Sequence, residues 1–206
     1  VNPVALAYRG YVQDRTGEDG LESLEQAAAM APTDPLVQFL LGQHWRLHED
    51  LNAALSAFTT AYWLDPENPA LAAEIGSIQR ELGDWPQSEE WLRVAVDQDP
   101  FDVRWSALLA AFYAETGYRL DDGGLVFIQG ASETFSMDAG IFASLSWAYA
   151  QVGEETRAFE AINRALALNP SLPRARYYHG VLLERFGDPD GAADAYWFVV
   201  DALGQN

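Results

Sequence analysis

Apolar residues recur along this chain at intervals of three and four, in short runs separated by polar or glycine-bearing breaks. That spacing lines one face of a helix, since a helix turns once in 3.6 residues. In residues 35–68, Leu36, Phe39, Leu40, Gly42 and Trp45 predict one helix, and Ala54, Leu55, Phe58, Ala61 and Tyr62 predict a second. The pair then returns at a spacing of 34. Gly42, Ala54, Phe58, Ala61 and Pro66 recur as Gly76, Ser88, Leu92, Ala95 and Pro100, and again as Ser146, Ala158, Ile162, Ala165 and Pro170. A last set, Gly180, Ala192, Tyr196 and Val199, lacks the proline. A period of this length predicts an all-α solenoid of stacked helical hairpins, in which each unit buries its apolar face against its neighbours.

The breaks agree with this reading. Leu82-Gly83-Asp84, Val152-Gly153-Glu154 and Phe186-Gly187-Asp188 place a glycine that can end one helix before an acid that suits the start of the next. Asp65-Pro66 and Asp99-Pro100 stop the second helix, because proline disfavours helical geometry in the residue before it. Pro32 and Pro170 fall at the same phase. Small residues such as Gly42 and Ala54 mark where the two helices of a hairpin cross.

Six blocks account for the 206 residues as one array: 1–34, 35–68, 69–102, 103–138, 139–172 and 173–206. Two depart from the pattern. In the first, Tyr8 stands where the glycine is expected and the turn from Arg15 to Gly20 is loose, which predicts an atypical terminal hairpin. In the fourth, the helix Val103 to Thr116 is in register, but two extra residues enter around Tyr118 to Asp122. Its second helix carries Gly123, Gly124 and Gly130, each costing about 1 kcal/mol relative to alanine. This block is either a decayed repeat held by its neighbours or a weakened helix that docks a partner through Phe127.

The motifs Leu41-Gly42-x2-Trp45, Ala158-x3-Ile162-x2-Ala165 and Leu168-Asn169-Pro170 resemble the tetratricopeptide repeat, whose consensus runs W-x2-L-G-x2-Y, then G, then A-x3-F-x2-A, then P. The resemblance covers the whole chain. It implies a right-handed superhelix and a role in binding another protein or peptide. It says little about activity, because these motifs are made of packing residues.

Charge narrows the partners. The chain has 31 acidic residues against 12 basic ones, all of them arginine, for a net −19. Nucleic acid is excluded as a partner on this ground, since a phosphate backbone needs a basic face. Salt adaptation and a GC-rich genome both account for acid excess without lysine. No cysteine is present, so disulfides and thiolate metal sites are excluded and the compartment stays open. No apolar run approaches the length of a membrane span. The chain starts at Val1 without a charged-then-apolar leader, which suggests a removed leader or a segment of a longer protein.

No catalytic constellation, cofactor motif or complete metal site emerges, and the chain reads as a non-enzyme. His44 and His48 are four apart on one helix, a spacing that can hold a metal, but the sequence offers only Glu49 and Asp50 of the following turn beside them. They read as histidines near a negative helix end. His179 reads as a satisfied, partly buried packing residue. The glycine-rich stretch of the fourth block lacks the Lys and Ser/Thr of a phosphate loop.

The resemblance implies which positions face the concave groove: 2, 5, 9, 12 and 13 of each block. Arg9, Arg46, Arg80, Arg104, Arg174 and Arg185 fall there, half of all the arginines, with only Glu81, Glu115 and Glu184 among the acids. Phe39, Gln43, Trp147 and Tyr177 share these positions. Arginine forks pair with carboxylates and aromatic rings supply desolvated area, so an acidic or carboxylate-bearing peptide is the expected occupant. Arg46, Arg80 and Arg185 also lie near helix C-termini, where a cation is favourable without any partner. The family's carboxylate clamp for chaperone tails uses Lys and Asn, and this chain has no Lys.

The last helix places Trp197 and Phe198 on turns that sister blocks leave to solvent. An uncapped apolar end predicts either a second copy, further chain beyond Asn206, or rings folded back on the preceding repeat. The alternative functions are therefore a structural subunit of a larger assembly, or a regulatory or sensor segment of a longer multidomain protein.

Overall fold

The computed structural model describes residues 2–204, with side chains up to residue 200. The described residues form six helical hairpins. Residues up to Pro100 make one compact unit and those from Phe101 make a second. The first unit holds α1 (Pro3–Arg15) with α2 (Leu21–Met30), α3 (Pro35–Leu47) with α4 (Leu51–Leu64), and α5 (Pro69–Glu81) with α6 (Trp85–Gln98). The second holds α7 (Val103–Thr116) with α8 (Leu125–Thr134), α9 (Ala139–Gln151) with α10 (Glu155–Leu168), and α11 (Pro173–Arg185) with α12 (Pro189–Gly204). No described strand is present, and no described helix is long and apolar enough to cross a membrane.

Local chemistry sets the helix ends. Asn2, Asp34, Asn68, Asp102 and Asp138 each cap a first helix by accepting a backbone N–H of its first turn. Pro3, Pro35 and Pro69 follow at the first helical position, where the missing N–H costs nothing. Asp50 and Asp84 cap the second helices in the same manner. The turn glycines Gly83, Gly153 and Gly187 adopt φ of 79°, 84° and 96°. In α3–α4 that place is held by Glu49 at φ 62°, without the freedom of glycine.

The crossings are as tight as the small residues require. A Cβ on Gly42 would stand 2.7 Å from the Phe58 ring, one on Gly76 2.8 Å from Leu92, and one on Gly180 2.6 Å from the Tyr196 ring. In the first unit, Leu6, Ala7, Leu24, Ala27, Val37 and Leu40 form one core cluster and Ala54, Phe58, Ile75 and Ile78 another. In the second, Ala143, Ala158, Ile162, Ala165, Tyr178 and Leu182 lie within one cluster. On α10 the buried residues Ala158, Ala161, Ile162 and Ala165 are three and four apart, so a single stripe supplies the packing.

The first block differs from its expected register. The glycine at its crossing is Gly10, not the residue at Tyr8: a Cβ on Gly10 would meet Leu24 at 2.7 Å, and Tyr8 is half exposed. Leu24 precedes Phe58 by 34, whereas Gly10 precedes Gly42 by only 32. The difference is taken up by the turn Thr16–Gly20, two residues longer than the turn 48–50. In the fourth block the extra residues form a π-type turn, Leu120–Gly124, entered through Arg119 at φ 48°.

Candidate functional site

The register shift moves Arg9 off the face formed by the first helices. Its guanidinium donates to Ser23 Oγ of its own hairpin at 2.8 and 3.1 Å. Asp14 and Arg15 take the places that Arg46 and Leu47 hold one hairpin later.

The other arginines are met both by residues at the same groove positions, Glu81 and Glu115, and by residues outside them, Glu74 and Asp102. Arg46 bridges Glu74 at 2.7 Å and Glu81 at 2.6 Å, and Gln43 donates to the same Glu74 at 2.9 Å. Arg104 is bound by Asp102, its helix's own cap, and lies 4.7 Å above the Trp105 ring. The hydrogen bond from Arg104 holds the Asp102 carboxyl below its usual range. Arg174 reaches Glu115 at 3.2 Å, and Arg185 donates to the Ala150 carbonyl at 2.9 Å. Arg80 is partly buried in the last turn of α5. Glu74 and Asp102 escaped the sequence reading because they sit outside the positions counted, Glu74 by one place and Asp102 two places before Arg104, yet their side chains reach in.

The second unit brings Trp147 and Tyr177 together through Tyr178. Trp147 stacks on Tyr178 with centroids 5.0 Å apart and planes 10° from parallel. Tyr177 lies 5.9 Å from Tyr178 and 6.1 Å from Tyr196, and it is half exposed. Arg174 is one helical turn before these tyrosines on α11, over Gly140, where a Cβ would stand 3.2 Å from the guanidinium. Phe39, in the first unit, is instead packed 5.8 Å from Phe58 and lines a cleft with Pro35, Leu36, Asp65, Asn68 and Leu71.

Of the remaining expected surface residues, Phe127 is half-buried against Tyr113 at 5.8 Å, and its neighbour Val126 is the exposed one. Trp197 is 71% exposed. Phe198 lies under the Arg176 guanidinium at 4.6 Å. His179 is not satisfied as expected: its buried Nδ1 has no hydrogen-bond partner among the described residues.

His44 and His48 do find further company. Asp14 and Asp19, from the first hairpin, converge on them, with one ligand atom of each residue within 4.8 Å of the others. The lengthened first turn was the signal in the sequence, but nothing in it showed where that turn would fold.

Comparison with known proteins agrees with this architecture. One tetratricopeptide repeat model matches residues 46–112, and another matches 9–69 and 144–196. No curated protein sequence matches the chain. Among solved structures, PilF of Pseudomonas aeruginosa superposes with a TM-score of 0.70 at 13% identity, over 100% of this chain and 98% of that one. A thermophilic TPR protein of Thermus thermophilus gives 0.69 at 21% identity, over 81% and 90%. YrrB, described as a TPR protein with an unusual peptide-binding site, gives 0.57 at 15% identity, over 86% and 91%. With repeat models covering more than half of its length, caps and crossings in phase and the hairpin as its repeating unit, the chain belongs to the tetratricopeptide repeat family.

Proposed function

We propose that this chain is a non-enzymatic protein-interaction scaffold, and that its second unit holds a carboxylate-bearing peptide segment against α9 and α11. The observation that carries this reading is the row Trp147–Tyr178–Tyr177, half exposed at its Tyr177 end, with Arg174 one turn away. A stacked pair of rings is a rigid apolar platform that loses little entropy on binding. Arg174 and Glu115 are each about a third exposed, so a partner's carboxylate can replace Glu115 at modest cost. Arg46 is a weaker anchor, because Glu74 and Glu81 already use both arms of its guanidinium.

The test is a panel of synthetic peptides, each paired with a version whose Asp and Glu are replaced by Asn and Gln, followed by tryptophan fluorescence. Acidic members should bind, and Arg174→Glu and Tyr177→Ala should each weaken them about tenfold or more without altering the far-ultraviolet circular dichroism. Equal binding of acidic and neutral versions would sink the carboxylate preference.

A second reading rests on a separate observation. Trp197 and Val200 are exposed on α12 at 71% and 58%, a surface suited to a further protein unit. Light scattering over a wide concentration range, with Trp197→Ser beside the wild type, distinguishes this structural-subunit role: a monomer throughout would reject self-assembly.

A further inference from the structure

The lengthened turn of the first hairpin folds against the last turn of α3. Asp14, at the end of α1, has a side chain only 4% exposed and accepts the Gly20 N–H at 2.9 Å. That bond fixes the turn, and Gly20 is packed on the Gly10 carbonyl with no room for a side chain. His44, 3% exposed, aims Nδ1 at both Asp14 carboxylate oxygens, each 3.0 Å away. His48 lies one turn later, its ring centroid 4.3 Å from that of His44 and its Nε2 3.7 Å from Asp14 Oδ1. Asp19 closes the group from the turn itself.

We propose that Asp14, Asp19, His44 and His48 bind one divalent transition-metal ion of the zinc class. Two imidazole nitrogens and two carboxylates form a four-ligand N2O2 set, and imidazole favours zinc, nickel or copper over calcium and magnesium. Ligand atoms around one ion at the usual bond lengths of roughly 2.0–2.2 Å are about 3–4 Å apart. The group lies within 4.8 Å, so closure requires only small side-chain movement. A simple hydrogen bond between His44 and Asp14 would need neither Asp19 nor His48. Their presence puts two carboxylates at one place, where an added positive charge relieves their repulsion. The net −19 of the chain concentrates cations around it.

Position gives the ion a role. Asp19 and His48 are exposed and open a path from solvent, while Asp14 and His44 form the enclosed side. The ion would join the turn between α1 and α2 to the end of α3, fastening the first hairpin to the second. Because the unfolded chain lacks the assembled site, binding there stabilises the fold.

The experiment uses the tag-free full chain, stripped with a chelator and titrated with Zn2+ by calorimetry, alongside thermal unfolding and Co2+ absorption. Wild type is expected to take up one ion per chain, to unfold at higher temperature with Zn2+, and to give the visible bands of a Co2+ site containing nitrogen ligands. His48→Ala and Asp19→Asn should each weaken binding about tenfold or more. Both positions are exposed, and the amide introduced by Asp19→Asn can still accept the Leu21 N–H that Asp19 accepts at 2.9 Å. Asp190→Asn, on α12, should leave binding unchanged. Several weak ions per chain, bound alike by wild type and all three variants, would overturn the proposal, as would a thermal shift that persists in His48→Ala.

Discussion

The Ser88 hydroxyl donates to the Gly76 carbonyl at 2.8 Å, inside the crossing of α5 and α6. Two hairpins later the same crossing is bonded from the other side, with Ser146 of α9 donating to the Ala158 carbonyl of α10 at 2.8 Å. The serine changes helices while the bond keeps its place. At such a close approach, a hydroxyl in one helix meets a carbonyl in the other that has a second lone pair to offer. Ser88→Ala should cost about 1 kcal/mol for the lost bond. Gly76→Ala should cost about 1–3 kcal/mol, since its Cβ would meet the Leu92 backbone nitrogen, 3.1 Å away, as well as its side chain. Urea unfolding of both variants is the measurement, and a Gly76→Ala protein as stable as wild type would refute the close crossing.

Arg46 joins two carboxylates that would otherwise repel each other. Arg46→Ala should destabilise the protein by about 1 kcal/mol at low salt, with most of the difference gone near 1 M salt because the pairs are partly exposed. Thermal unfolding at both ionic strengths reads this directly. A loss independent of salt would point to packing by the arginine stem instead.

Glu49 holds the left-handed turn conformation that Gly83, Gly153 and Gly187 hold in sister hairpins. Glycine removes a backbone penalty of about 1 kcal/mol there, partly offset by its greater freedom when unfolded. Glu49→Gly should therefore raise the unfolding midpoint, whereas Gly83→Glu should lower it.

Two groups give the second unit a pH signature. Burial, with Arg176 adding to it, holds the His179 pKa below its usual value. The folded state thus resists its protonation, and its contribution is present above about pH 6.5 and lost as pH falls through the lowered folded value. Burial, then the hydrogen bond to Glu184, pushes the Tyr196 hydroxyl up to about 12. Its contribution is complete below the ordinary value of about 10 and is lost as pH rises through 12. His179→Gln should flatten the acid limb of a stability profile and Tyr196→Phe the alkaline limb. Absorbance titration of wild type beside Tyr196→Phe should show an ionisation step near pH 12 that the variant lacks.

How much was legible in the chain follows from the range of each interaction. Helices, caps, turn glycines and tight crossings depend on residues close in sequence, so the 34-residue period displayed them. Even the insertion near Tyr118 could be located, because the helices on either side keep phase. The first hairpin misled because counting from residue 1 put Tyr8 at the crossing, while a longer turn had moved Gly10 into that place. The occupation of the arginines was also hidden. Glu74 reaches Arg46 across 28 residues, and Glu115 reaches Arg174 across 59, distances at which periodicity carries no information about side-chain reach.

By itself, then, the sequence determined the repeating hairpin, since local spacing of small and apolar residues permits few other ways to bury them. Only the tertiary structure decided which charges are already answered, which rings stack, and that Asp14 and Asp19 meet His44 and His48. Those outcomes depend on where separate hairpins come together, and electrostatic and metal-ligand interactions are set by distances of a few ångströms that no sequence interval specifies.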